Sequence, residues 1–131
     1  MDENNRKILV EQQKSKATRF IKQAEEMLSL HYFDLAANRY YYACFHAIQA
    51  LFIKDGISAH THSGVLTQFS LNYVKTGIVD IRYGSFLARM LQIRQKADYN
   101  CSYDITEAEI SEIRPLAIEL VNIISHLISN Q

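Results

Sequence analysis

The chain has 131 residues, 48% of them hydrophobic, with fourteen Lys and Arg against fourteen Asp and Glu, one Pro and four Gly. A chain of this length is the size of one domain and buries roughly two-thirds of the surface its unfolded form exposes, so it needs no disulfide or metal staple to fold. Zero formal charge excludes a whole-molecule field toward nucleic acid or an acidic membrane, and so few Gly and Pro exclude an all-β fold with its many tight turns.

Ala17, Phe20, Ile21, Ala24, Met27 and Leu28 recur at helical spacing and predict an amphipathic first helix over about Asn5–Leu30. His31-Tyr32-Phe33 breaks the pattern, and Asp34 stands where an N-cap oxygen would open a second helix running to Asp55, with Gly56 as its stop. That second helix is apolar almost all round, from Leu35 and Ala36 through Phe45 to Leu51, which predicts the central element of the domain. Thr61 or Ser63 can cap a third helix with Val65, Leu66, Phe69 and Tyr73 on its core face, ended at Gly77. A fourth is expected from Asp80 or Tyr83 to Tyr99, burying Phe86, Leu87, Met90, Ile93 and Ala97. The fifth has the clearest start: Thr106 and Glu109 form a capping box, with Ile105 and Ile110 at the positions of a hydrophobic staple. Pro115 lies inside its apolar run and predicts a kink or a brief interruption. The sum is an all-α, antiparallel up-and-down bundle of about five helices, one domain over residues 1–131.

Two cysteines, Cys44 and Cys101, make neither a disulfide framework nor a four-ligand zinc site, so a reducing cytoplasm is the expected location. The segment MDENNRKILV is acidic and polar where a secretory signal would be basic and then apolar. The longest apolar stretch, Leu35–Ile53, is interrupted by Asn38, Arg39, His46 and Gln49, which argues against a membrane span.

Three constellations could carry chemistry. Arg39, Tyr42, His46 and Gln49 share one face of the second helix, with Asn38 at its edge. Because burying an unpaired guanidinium is costly, this row either meets partners in the fold or lines a wet groove. At the end of the fourth helix, Arg94, Asp98 and Tyr99 form either a surface ion pair with a neighbouring phenol or a phosphate site with proton-transfer groups. His60 and His62, with Thr61 and Ser63, form a third cluster that reads as a loop and helix cap, since no further donor stands at a metal-confirming spacing. No metal or cofactor is expected, and the chain has no phosphate-binding glycine loop and no nucleophile elbow.

The run Ala36-Ala37-Asn38-Arg39-Tyr40-Tyr41-Tyr42-Ala43-Cys44-Phe45-His46-Ala47, then His62-Ser63-Gly64-Val65 with Phe69, then Arg94-Gln95-Lys96-Ala97-Asp98-Tyr99, resembles the HEPN domain family over about residues 10–128. The resemblance implies a helical bundle that forms a homodimer, encoded beside a minimal nucleotidyltransferase in toxin-antitoxin or defence systems. It further implies a metal-independent ribonuclease signature, an arginine followed after four to six residues by histidine, in which Arg steadies the phosphate and His moves a proton. Arg94 matches that arginine, but Asp98, Tyr99 and Asn100 follow with no histidine. An ionised Asp repels phosphate and is too acidic to serve as an acid near neutral pH.

Three readings follow. In one, the protein binds RNA or a nucleotide: Arg94 contacts phosphate, Arg39, Tyr42, His62, Asp98 and Tyr99 contribute to the ligand site, and His46 is the proton-transfer group if RNA is cut. In another it is a non-catalytic dimeric interaction module that partners a nucleotidyltransferase, its polar row specifying an interface. A metal-binding bundle built on His46, His60 and His62 is the third alternative.

Overall fold

The structure is a computed structural model and describes residues 2–99 and 104–130, with the backbone alone of Asp98 and Tyr99. Its elements are α1 (Glu3–Ser29), α2 (Phe33–Asp55), α3 (His62–Phe69), a π-helical turn over Ser70–Val74, α4 (Ile81–Tyr99) and α5 (Glu107–Ser129). The fold class is all-α, with no strand among the described residues. Two compact units divide the chain, Met1–Ser58 with Ile105–Gln131, and Ala59–Asp104.

In the first unit α1 and α2 are antiparallel partners. The Arg6 guanidinium donates to the Ile53 carbonyl, Gln13 meets His46, and Glu25 meets Tyr40, so residue numbers fall on one helix as they rise on the other. α5 runs parallel to α2: Ile105 meets Asp34, Ala117 meets Cys44, and Leu127 meets Lys54. α2 lies against both and contributes eleven buried residues, with Tyr40, Ile48 and Phe52 wholly enclosed. Each such side chain stabilises the fold by about 1.5–3 kcal/mol of apolar burial, which is why the helix with the most continuous apolar surface lies between the other two.

The connection between α1 and α2 is only three residues long and turns on His31, whose φ is 63°. Tyr32 then occupies the N-cap position without a side-chain cap, which corrects the expectation for Asp34. Asp34 sits in the first turn instead, and its carboxylate accepts from the Ile105 backbone N–H at 2.7 Å, holding the start of α5 beside the start of α2. Gly56 closes α2 in the left-handed region at φ 74°, as expected. The capping box of α5 is present, with Thr106 and Glu109 each accepting from the other's backbone N–H at 3.1 Å, and Ile105 and Ile110 are both buried. α5 continues through Pro115 without interruption.

In the second unit Thr61 caps α3, its hydroxyl accepting from the Gly64 N–H at 2.9 Å. Val65, Phe69 and Tyr73 are buried, but Leu66 is not, and the helix widens to π geometry from Ser70 instead of continuing as one α-helix to Gly77. Phe86, Leu87, Met90 and Ile93 of α4 are buried as the spacing predicts. Ala97 is exposed, because the apolar stripe has by then given way to Gln95 and Lys96 and a methyl group commands little burial.

Candidate functional site

The polar row of α2 packs on α1. Arg39 places its guanidinium carbon 5.0 Å from the centroid of the Phe20 ring, and His46 meets the same ring edge-on at 5.3 Å. Phe20 is therefore held between a cation and an imidazole, contacts worth about 0.5–1 kcal/mol each at half-exposed sites. His46 Nδ1 lies 2.8 Å from Gln13 Oε1, so this ring nitrogen carries the proton and donates to the amide oxygen. Tyr42 stands one turn before His46, with ring centroids 6.3 Å apart, and Phe45 joins both rings at 6.1 and 5.7 Å. All of these side chains are half-buried.

Burial pushes the His46 pKa down to about 4, aided by the positive charges of Lys16 and Arg19. At neutral pH the ring is uncharged. Its low proton affinity makes it a weak general base there, because efficiency rises as the pKa approaches the operating pH.

A second polar cluster, outside the three constellations apparent in the sequence, joins three helices. The hydroxyl of Tyr40 donates to Glu25 Oε2 at 2.9 Å, and Arg114 Nε reaches the same carboxylate at 2.9 and 3.2 Å. The Arg114 hydrogen bond holds the Glu25 carboxyl below its ordinary range against an opposing desolvation, with Tyr40 adding to the lowering. Burial, with the carboxylate beside it, raises the Tyr40 phenol well above its usual value. These groups lock α1 to α2 and α5. The signal available in sequence was a tyrosine on the apolar side of α2, since a buried hydroxyl requires an acceptor. Cys44 is fully buried, its thiol pushed up to about 12 by desolvation, and it donates weakly to the Ala117 carbonyl at 3.7 Å, so it is an inert core group.

The remaining candidates lie in the second unit. His62 is the first residue of α3 and Arg94 lies five residues before the end of α4; both are half-buried. The Asp98 and Tyr99 side chains, and Cys101, lie outside the described residues. The structure thus brings Arg39, Tyr42 and His46 together on α2 and adds Gln13, Lys16, Arg19 and Phe20 of α1 to them. Among the described residues no three His, Cys, Asp or Glu side chains gather to hold a metal ion, and no helix is long and apolar enough to cross a membrane.

Comparison with known proteins places this arrangement in context. A family model described as "HEPN domain" matches residues 10–127. A "UPF0332 protein" of Thermotoga maritima is 32% identical over 109 residues, covering 83% of this chain and 83% of its own length. Two proteins of Methanocaldococcus jannaschii, named "Putative toxin MJ0142" and "Putative toxin MJ0605", are 30% and 35% identical over 94 and 78 residues. Those two alignments cover 72% and 60% of this chain, and 64% and 58% of the toxin-named proteins.

Proposed function

The chain belongs to the HEPN domain family, and from that premise we propose that it binds RNA or a nucleotide as the toxin-like, homodimeric component of a pair formed with a nucleotidyltransferase. The observation that carries this reading is the family match over residues 10–127, a span that includes the polar row of α2 and Arg94 of α4, together with the toxin names of two relatives. Arg94 is the proposed phosphate contact, because its guanidinium offers paired donors to phosphate oxygens, and Tyr99, His62 and Asp98 are the proposed neighbours of the ligand.

Binding, with little or no cleavage, is the activity the chemistry favours. The sequence offers no histidine between Arg94 and Asp104, and His46 is held neutral with a pKa of about 4. Incubating short labelled RNAs with the protein in excess chelator tests this: the expected result is RNA that is retained but uncut, with retention lost in Arg94→Ala. Cleavage that disappears in Arg94→Ala would overturn the preference for binding and make the protein a metal-independent ribonuclease.

A second reading is favoured by the contacts of Arg39 and His46 with Phe20 and Gln13, which use part of the polar row inside the fold. On that reading the protein is a non-catalytic dimeric module that holds a nucleotidyltransferase. Arg39→Ala or Arg94→Ala would then change oligomeric state or stability, and no RNA would be bound by any variant.

A further inference from the structure

From Gln12 to Ala24 the first helix carries Lys14, Lys16, Arg19 and Lys22 and no acidic residue. Lys14 pairs with Glu11 at 3.6 Å. Lys16, Arg19 and Lys22 have no carboxylate at ion-pair distance among the described residues. Arg19 and Lys22 also border a shallow depression of about 490 Å³ together with Lys14, Ser15 and Thr18, with Glu11, the partner of Lys14, at its end. Lys16 lies one helical turn from both Gln13 and Phe20, the α1 residues that touch His46, and Arg19 is next to Phe20, so both stand close to the α2 polar row, where Arg39 adds another cation. Like charges this close repel one another, and within the first unit, which holds eleven acidic residues against nine basic ones by sequence, a carboxylate among them would have been easy to supply. Half-buried rings lie among these cations: Phe20 under Arg39, then His46, Tyr42 and Phe45 in mutual contact.

Cations without counter-charges, interleaved with half-buried aromatic rings, suit a single-stranded nucleic acid, which needs phosphates neutralised along one edge and bases stacked along the other. We propose that the α1–α2 face is a contact surface for single-stranded RNA, with Lys16, Arg19 and Arg39 on backbone phosphates, and with Tyr42 and the outer plane of the Arg39 guanidinium, seated on Phe20, beside bases. The surface is separate in sequence and in element from Arg94 on α4, and the proposal rests on the RNA-binding reading given above. Arg39 is suited to both roles, because a guanidinium stacked on a ring presents a plane on which a base can continue the stack. From Lys16 to Lys22 the helix rises about 9 Å, which limits the surface to a few phosphates. With about three neutralised, log K should fall against log salt with a slope of about −2 for a single strand. Such a short contact is compatible with zero net charge on the whole chain.

The test is fluorescence anisotropy of a labelled twelve-nucleotide 2′-O-methyl RNA, which cannot be cut through its 2′-oxygen, titrated with wild type, the double variant Lys16→Gln/Arg19→Gln, its charge-preserving counterpart Lys16→Arg/Arg19→Lys, and Arg94→Ala. The expected result is a Kd at least tenfold weaker for the Gln pair, a salt slope shallower by about 1 to 1.4, near wild-type binding by the charge-preserving pair, and unchanged melting of all four proteins. Wild-type affinity and slope in the Gln pair would overturn the surface while leaving Arg94 and the RNA-binding reading in place. Absence of saturable binding by wild type would overturn both.

Discussion

The Tyr40 hydroxyl, on a side chain with no exposed surface, ends on the Glu25 carboxylate at 2.9 Å. This single contact joins the first third of α2 to the last third of α1, and Arg114 extends it to α5. It adds a polar registry mark to those that Arg6–Ile53 and Gln13–His46 supply between the same two helices.

Glu25→Ala should therefore cost more than a surface substitution. It strands the Tyr40 hydroxyl without its acceptor, a loss of about 1–3 kcal/mol, whereas Tyr40→Phe removes donor and need together and should cost less. Glu25 has a folded pKa below its unfolded value, so its contribution is present above pH 4.5 and is lost as pH falls through the folded pKa. The stability gap between wild type and Glu25→Ala, read by urea melts, should narrow as pH falls below 4.5.

His46 should titrate near pH 4 in the folded protein, measured by the NMR shifts of its ring protons. The groups facing it are Gln13, Lys16, Arg19 and Phe20 from α1 and Tyr42 and Phe45 on α2. Because the folded state resists protonation, stability should fall as pH drops from about 6.5 to about 4 on account of this group. Lys16→Gln/Arg19→Gln should move the titration upward, and no movement would place those cations elsewhere.

Thr61 and Gly64 should show strong coupling. A Cβ on Gly64 would lie 2.9 Å from the Thr61 hydroxyl oxygen, the same atom that caps α3. Gly64→Ala should destabilise wild type, and Thr61→Ala should cost about 1 kcal/mol through the lost cap. In the Thr61→Ala background that oxygen is gone and the next neighbour, Ala59, is 3.9 Å away, so Gly64→Ala should become neutral or stabilising. Thermal melts of the four proteins measure the cycle.

Much of the fold is legible because its signals are local. The Thr106–Glu109 box, the Gly56 stop and the Thr61 cap are each settled within a few residues, and all three stand in the structure. Asp34 misleads because the turn before it relies on a left-handed His31, where a glycine would have announced the bend. Its carboxylate serves a backbone amide 71 residues away. The Glu25–Arg114 pair, 89 residues apart, is invisible for the same reason. The polar row of α2 was legible as a shared face, but its partners were not, since nothing in the sequence tells which face of α1 it meets. The acid-free basic run of α1 was plain in the sequence, and it gains meaning only once Phe20 is seen beneath Arg39.

The central claim is that a phosphate-bearing ligand is held at Arg94, and its most direct measurement is the affinity of wild type and Arg94→Ala for one short labelled RNA, side by side in excess chelator. Saturable binding by wild type, weakened at least tenfold in the variant with melting and oligomeric state unchanged, is the result expected. Equal binding by the two proteins, or none by either, would contradict the claim.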